Sequence, residues 1–403
     1  MRIPVDEAAA RVREALAHGI GFERTVMFHD LDRMRARLDE LRGAFPADAL
    51  HAVAIKANPL LEVLRAVVDA GFGLEAASFE EVALAQAAGC PPDRLVYDSP
   101  AKTDAELSAA LGQGMWVNVD SEAELDRVAA LGGTASGRVG LRVNPGVGAG
   151  TIAATSTVQR GGRFGVPLEH AAAALARHPW VGGLHVHTGS QGVGLALIEA
   201  AVAATAREAR DLGLAWVDVG GGIPVRYTAR DPEPPGYPEW GATLAPHCTG
   251  LRILTEAGRS VQAGCGFTVT RVEAVKTVQG RPMLVVHAGA DLFLRWVYAS
   301  QSWDHEVVLL DAQGREKPGG DGPADVVGPL CFAGDVLARS RALPPAEPGD
   351  LLLVRDTGAY TLSMWSRHCS RGLPAVWGVD RGALRPLHAG ERPADVVAFW
   401  SLR

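Results

Sequence analysis

The stretch HAVAIKANPLLEVLRAVVDAGFGLEAAS, residues 51–78, decides the fold. A short apolar run, Ala52–Ile55, ends in Lys56; an Ala/Leu/Glu/Arg-rich segment at helical spacing follows, and Gly73–Ala76 is a second short run. Strand, helix, strand is the unit from which parallel sheets are built. Outward from it the alternation recurs, with runs at Arg94–Tyr97, Met115–Asn118, Val139–Val143, Gly183–Val186, Trp216–Val219 and Arg252–Thr255. Eight such strands between helices predict a (β/α)8 barrel, since a doubly wound sheet usually shows fewer. Upstream, Asp32–Phe45 puts Met34, Leu38, Leu41 and Phe45 on one helical face and stops at Pro46, and a short strand, Thr25–Phe28, precedes it.

After about residue 270 the pattern changes. Runs such as Met283–His287, Glu306–Leu310 and Leu351–Arg355 alternate with Gly/Pro-rich turns such as Pro344–Gly349, and helical segments nearly vanish. The expected organisation is an N-terminal segment, 1–27, joining a β domain; a barrel over 28–270; and a β-rich domain over 271–403. A chain of 403 residues with 47% hydrophobic and 21% charged residues has the size and composition for it.

The 39 basic and 46 acidic residues leave a net charge of −7, with no Lys/Arg run of the kind that grips a polyanion, so nucleic acid is a poor partner. No apolar run is long enough to span a membrane. Asp6 and Glu7 stand where a secretion signal needs its apolar core. Five widely spaced cysteines without a CxxC pair argue against a disulfide framework or a structural metal site and for a cytoplasmic location.

The chemistry lies at the strand ends, the face where such barrels react. In order they carry Lys56, Glu75, Asp98, Asn118, Arg142, His187, Gly220-Gly221-Gly222 and Glu256. Polar groups at nearly every strand end are hard to explain as solvated surface. Lys56 alone is open between a snorkelling lysine and an amine poised for a Schiff base. The glycine triplet alone is as well explained by a tight turn as by a phosphate cradle, and His187 alone by a structural imidazole. Together, an amine, a flat imidazole, glycine-rich backbone, an arginine and a carboxylate are what pyridoxal phosphate needs. The acid keeps the pyridine nitrogen protonated, so that the ring accepts electrons released at a substrate α-carbon.

AIKANP at Lys56, GLEAAS with Ser78 and Glu81, LRVNPG with Arg142, GRFG at Gly162–Gly165, HVHTGSQ, DVGGG, EAGR, GPLCFAGD and GAY at Gly358–Tyr360 occur in an order that resembles the fold type III pyridoxal-phosphate decarboxylases. These include the diaminopimelate, ornithine and arginine enzymes. The resemblance implies an alanine racemase-like barrel with a C-terminal β domain, acting as a homodimer with shared active sites. It implies that Lys56 carries the cofactor, His187 stacks on its ring, Glu256 pairs with the ring nitrogen, and Glu75 and Arg142 complete the ring's surroundings. Ser190, Gly221, Gly222, Gly258, Arg259 and Tyr360 would bind the phosphate. Cys331 from the partner chain would return a proton to the quinonoid carbon after carbon dioxide leaves. Arg295, Tyr298, Phe332, Asp335 and His368 are the implied substrate-facing set.

Members acting on diamino acids usually follow the cysteine with an acid, here Phe332, and the ornithine type has an acid where this chain has Ala299. Neither replacement can offset the desolvation of a terminal ammonium. The expectation is therefore a decarboxylase of an amino acid or conjugate lacking a free distal amine. The alternatives are a diaminopimelate decarboxylase proper, an amino-acid racemase on the same fold, and an inactive regulatory homologue. Alanine racemases set an arginine at the pyridine nitrogen, which Glu256 argues against.

Overall fold

A computed structural model describes residues 2–134, 137–320 and 322–402. It divides into two compact units, one of Arg35–Val225 with Glu233–Val261, the other of Met1–Met34, Arg226–Pro232 and Gln262–Arg403.

The first unit is the barrel. Its strands are Leu50–Ala54, Gly73–Ala76, Leu95–Tyr97, Trp116–Val119, Val139–Asn144, Gly183–His185, Trp216–Asp218 and Arg252–Thr255, each overlapping a run read from the sequence. All pair in parallel, and the ring closes where Arg252–Thr255 meets Leu50–Ala54. Helices follow the strands, and their starts are written locally. Ser78 accepts from the N–H of Glu81, Ser121 from that of Glu124, and Thr103 forms a reciprocal capping box with Glu106. The helix Leu61–Asp69 buries Val63, Leu64, Ala66, Val67 and Val68.

One end of the barrel is closed by tryptophan. Trp116 and Trp216 stand on the fourth and seventh strands, which are not neighbours in the ring, so their rings meet through the interior, 5.2 Å apart and nearly perpendicular at 87°. The indole of Trp216 lies so close to the fifth and sixth strands that a Cβ at Gly140 or Gly183 would come within 2.3 Å or 2.2 Å of it. Glycine is required there by space. Leu50, Ala52, Val96 and Leu254 complete this apolar floor.

The second unit is a nine-stranded, mostly antiparallel sheet assembly. The strand Thr25–Asp30 pairs antiparallel with Gly266–Val278 and parallel with Ala375–Asp380, and Phe28 stacks on Phe267 with centroids 4.7 Å apart. The helix Val5–Ala17 buries Ala8, Ala9, Val12 and Ala15 in that unit's core. Both expected barrel boundaries, 28 and 270, thus fall inside strands of the β unit, because pairing continues to Asp30 and starts again at Gly266. Among the described residues no helix is long and apolar enough to cross a membrane.

Candidate active site

Side chains two residues apart on a strand share a face, so the residues two positions beyond the floor also point inward. Those positions are Asp98, Asn118, Arg142, His185, Asp218 and Glu256, none more than 6% exposed. A polar layer therefore lies directly on the tryptophan floor. Asn118 Nδ2 donates across the barrel to Asp218 Oδ2 at 3.0 Å, and Asp218 Oδ1 accepts from the N–H of Gly220 at 2.9 Å. Arg142 Nη1 is 3.5 Å from Asp98 and 3.8 Å from Asp120. His185 sits between Asp98, 3.6 Å from Nδ1, and Glu256, 3.5 Å from Nε2.

Lys56 rises one step above this layer. Its Nζ donates to Oε2 of the fully buried Glu75. His187 Nδ1 accepts from the N–H of Gly221 at 3.2 Å and lies 3.6 Å from Glu256. Ser190 Oγ accepts from both Nε and Nη2 of Arg259 at 3.0 Å. Gly258 approaches Ala54 so closely that an added Cβ would lie 2.8 Å from the alanine Cβ, and Gly222 has φ of +124°, a conformation side chains rarely adopt.

The titration of the cluster follows from burial and from its own charges. Burial alone would depress His185, but Asp98, Glu256 and Asp218 overcome it and hold the imidazole up at about 9. Burial opposes ionisation of Glu256, and the charge of His185 outweighs it, so the carboxyl stays well below its ordinary range. Burial pushes Glu75 and Asp218 upward, helped by the nearby Glu256. His187 is lowered by burial. Two histidines two residues apart are thus pushed in opposite directions.

The remaining expected residues belong to the β unit. Arg295 lies over the rings of both Trp303 and Tyr360, 4.8 Å from each centroid, and Tyr360 has a left-handed backbone with φ of +55°. Tyr298, Phe332 and His368 form one stack, with centroids 5.8 Å and 5.7 Å apart. Cys331 is free and exposed beside it. Asp335 does not join the stack. It is buried and accepts from the N–H groups of Ala290 and Leu330, both at 2.7 Å, so it ties its own loop to the segment at Ala290.

Pyridoxal phosphate fits the barrel's residues. Among the described residues neither buried oxygen of Glu256 has a hydrogen-bond partner, so a protonated ring nitrogen would satisfy an acceptor otherwise left bare. Residues 31–263 match the family described as "Pyridoxal-dependent decarboxylase, pyridoxal binding domain". The chain belongs to the pyridoxal-dependent decarboxylases. It is a carboxy-lyase, and its cofactor is pyridoxal phosphate. Among relatives of this decarboxylase, the diaminopimelate decarboxylase of Deinococcus radiodurans is 34% identical over 94% of this chain and 96% of the relative. That of Pseudomonas aeruginosa is 35% identical over 89% and 91%. The crystal structure of the Helicobacter pylori diaminopimelate decarboxylase complexed with L-lysine superposes with a TM-score of 0.86 at 27% identity, covering 96% of this chain and 98% of that one.

These relatives overturn one expectation. They are named for a diamino acid, and one was crystallised with L-lysine, so the absence of an acid at Phe332 and Ala299 does not identify a substrate without a distal amine. Losing one acid says which side chain cannot pair with an ammonium. It says nothing of the others, and the faces of stacked aromatic rings attract cations too.

Two residues of the polar layer, His185 and Asp218, had no role assigned from the sequence. The signal was present: each stands an even number of positions from a residue already placed in the site, His187 and Gly220.

Proposed function

We propose that this decarboxylase acts on diaminopimelate or a closely related diamino dicarboxylic acid, as a homodimer whose sites draw on both chains. Loss of one carboxylate from diaminopimelate, with a proton in its place, gives lysine. The observation that carries the reading is identity above 30% to named diaminopimelate decarboxylases over about nine-tenths of the chain.

When bound, pyridoxal phosphate supplies an aldehyde for an amine and a ring that accepts electrons from the α-carbon. Lys56 is the amine that holds it, and Glu75, whose proton affinity burial raises, is the base at hand for the Lys56 ammonium. Glu256 keeps a proton on the ring nitrogen. His187, whose Nδ1 accepts from the N–H of Gly221, would face the ring, with Arg142 near it. Ser190, Arg259 and the backbone of Gly221, Gly222 and Gly258 would hold the phosphate. The partner's Cys331 delivers the proton that replaces carbon dioxide, a role suited to a thiol that is mostly protonated near neutral pH. The Tyr298–Phe332–His368 stack beside it offers aromatic faces to the distal ammonium, and Arg295 offers charge for the distal carboxylate.

The test is carbon dioxide release from diaminopimelate, lysine and ornithine, with product identification. Stoichiometric lysine from diaminopimelate supports the reading. Turnover of the other acids with none of diaminopimelate overturns it.

A further inference from the structure

We propose that His185 is a positioning residue of this reaction: an imidazolium fixed between Asp98 and Glu256 that keeps the Glu256 carboxylate charged and oriented toward the cofactor's ring nitrogen. The inference rests on the assignment of Glu256 to that nitrogen.

The geometry is that of a row crossing the barrel. Arg142 on the fifth strand lies 3.5 Å from Asp98 on the third, Asp98 lies 3.6 Å from His185 on the sixth, and His185 lies 3.5 Å from Glu256 just past the eighth. His185 is wholly buried, and among the described residues neither ring nitrogen has a hydrogen-bond partner. Its two nitrogens face carboxylates, Asp98 from Nδ1 and Glu256 from Nε2. A neutral ring would leave one nitrogen without a proton to offer a carboxylate. Burial disfavours the charged ring, and the surrounding carboxylates reverse that preference. His187 provides the internal contrast. Its Nδ1 is taken by a backbone N–H, which requires an unprotonated nitrogen there, so the ring that would face the cofactor is held neutral.

A glutamate that must stay ionised in a dry pocket needs a counter-charge that the solvent cannot supply. The cofactor's own ring provides one when bound. His185 provides one beforehand, and through Asp98 it is itself anchored to Arg142.

The test uses the holoenzyme with 15N-labelled histidine. His185, identified by loss of its signals in His185→Gln, is expected to carry protons on both ring nitrogens at pH 7.5 and to lose one only on passing to alkaline pH. In His185→Gln, cofactor affinity is expected to fall on the order of tenfold, as when outer-shell partners of a ligand are removed. The visible absorbance of the bound cofactor should become pH-dependent between about pH 6 and 9, where the parent's is flat. Adding Asp98→Asn removes one of the carboxylates left unmatched and should recover part of the affinity. A packing role predicts a lower Tm with an unchanged absorbance profile, and that result overturns the proposal. So does a singly protonated His185 at pH 7.5 in the parent, a measurement that stands even if the variant does not fold. Glu256→Gln is the control for the underlying reading. If it leaves affinity and absorbance unchanged, the ring-nitrogen assignment fails, whatever the charge of His185.

Discussion

Two rings of side chains, two residues apart on the same strands, line the barrel and differ in nearly every property. The floor is Val96, Trp116, Trp216 and Leu254 with glycines where the indole needs room. The layer above it is Asp98, Asn118, Arg142, His185, Asp218 and Glu256, equally buried and almost wholly ionisable. The floor is stabilised by apolar contact and tolerates no water. The polar layer is costly to bury and is held by mutual pairing. The difference teaches that in a barrel the period of two, which separates inside from outside, also places chemistry one step from packing. Substitutions in the two rings should therefore fail in different ways.

The largest effect belongs to the mouth of the barrel. Lys56→Ala should reduce carbon dioxide release to background, because no second amine stands in its place, while Tm should change little for a side chain one-third exposed. Lys102 is the instructive counterpart: it is fully buried and donates to Glu124 and to the carbonyls of Ser99 and Asn118, so its amine is saturated and structural. Loss of both activity and fold in Lys56→Ala would erase the distinction between the two rings.

On the floor the expectation inverts. Trp216→Ala should cost about 3–5 kcal/mol of stability, read by denaturant unfolding, since the ring fills the barrel between glycines that cannot move in to replace it. Cofactor binding by the fraction that remains folded should persist. Gly183→Ala attacks the same contact from the other side, and overpacking there should cost about 1–3 kcal/mol.

The polar layer should show itself through pH. His185 is raised to about 9, so the stability it contributes is present below its ordinary value of 6.5 and is lost as pH rises through 9. The raised Asp218 and Glu75 act in the same direction. On the acid side Glu256 and Asp98 are depressed, and their contribution is lost as pH falls through the carboxylate range. Tm should therefore peak between the ordinary carboxylate range and the histidine's ordinary value of 6.5 and decline from there toward pH 10, with a loss from His185 of up to about 3 kcal/mol. In His185→Gln that arm should flatten. An equal alkaline decline in both proteins would move its origin out of the layer.

Most of this was legible in the chain. The eight runs and the strand-end residues Lys56, Glu75, Arg142 and Glu256 lie where alternation puts them, because each strand is short and its end is marked by a break in apolar character. His185 and Asp218 were hidden for the opposite reason. They sit inside apolar runs, where a polar residue reads as an outward-facing interruption, and only closure of the ring turns that face inward. The substrate was misread from Phe332 and Ala299, since absence of one acid carries less information than presence of a whole aromatic stack.

The smallest expected effect sharpens the comparison most. Asn118 stands two residues beyond Trp116 on the same strand, so Asn118→Ala and Trp116→Ala probe the two rings from one backbone. The asparagine's amide is the side-chain donor to Asp218 Oδ2, and the other Asp218 oxygen is held by the N–H of Gly220. Removing the amide leaves a buried oxygen without its partner, which should cost about 1–3 kcal/mol, the lower end if Asp218 takes a proton instead. Asp218 is already pushed up by burial and by Glu256, so protonation is the easier response. Loss of the donor should push it further in the same direction, and the alkaline decline of Tm should then become steeper. An Asn118→Ala protein with parental Tm at every pH would mean that the layer is not one coupled system, and that each of its groups answers only to its nearest neighbour.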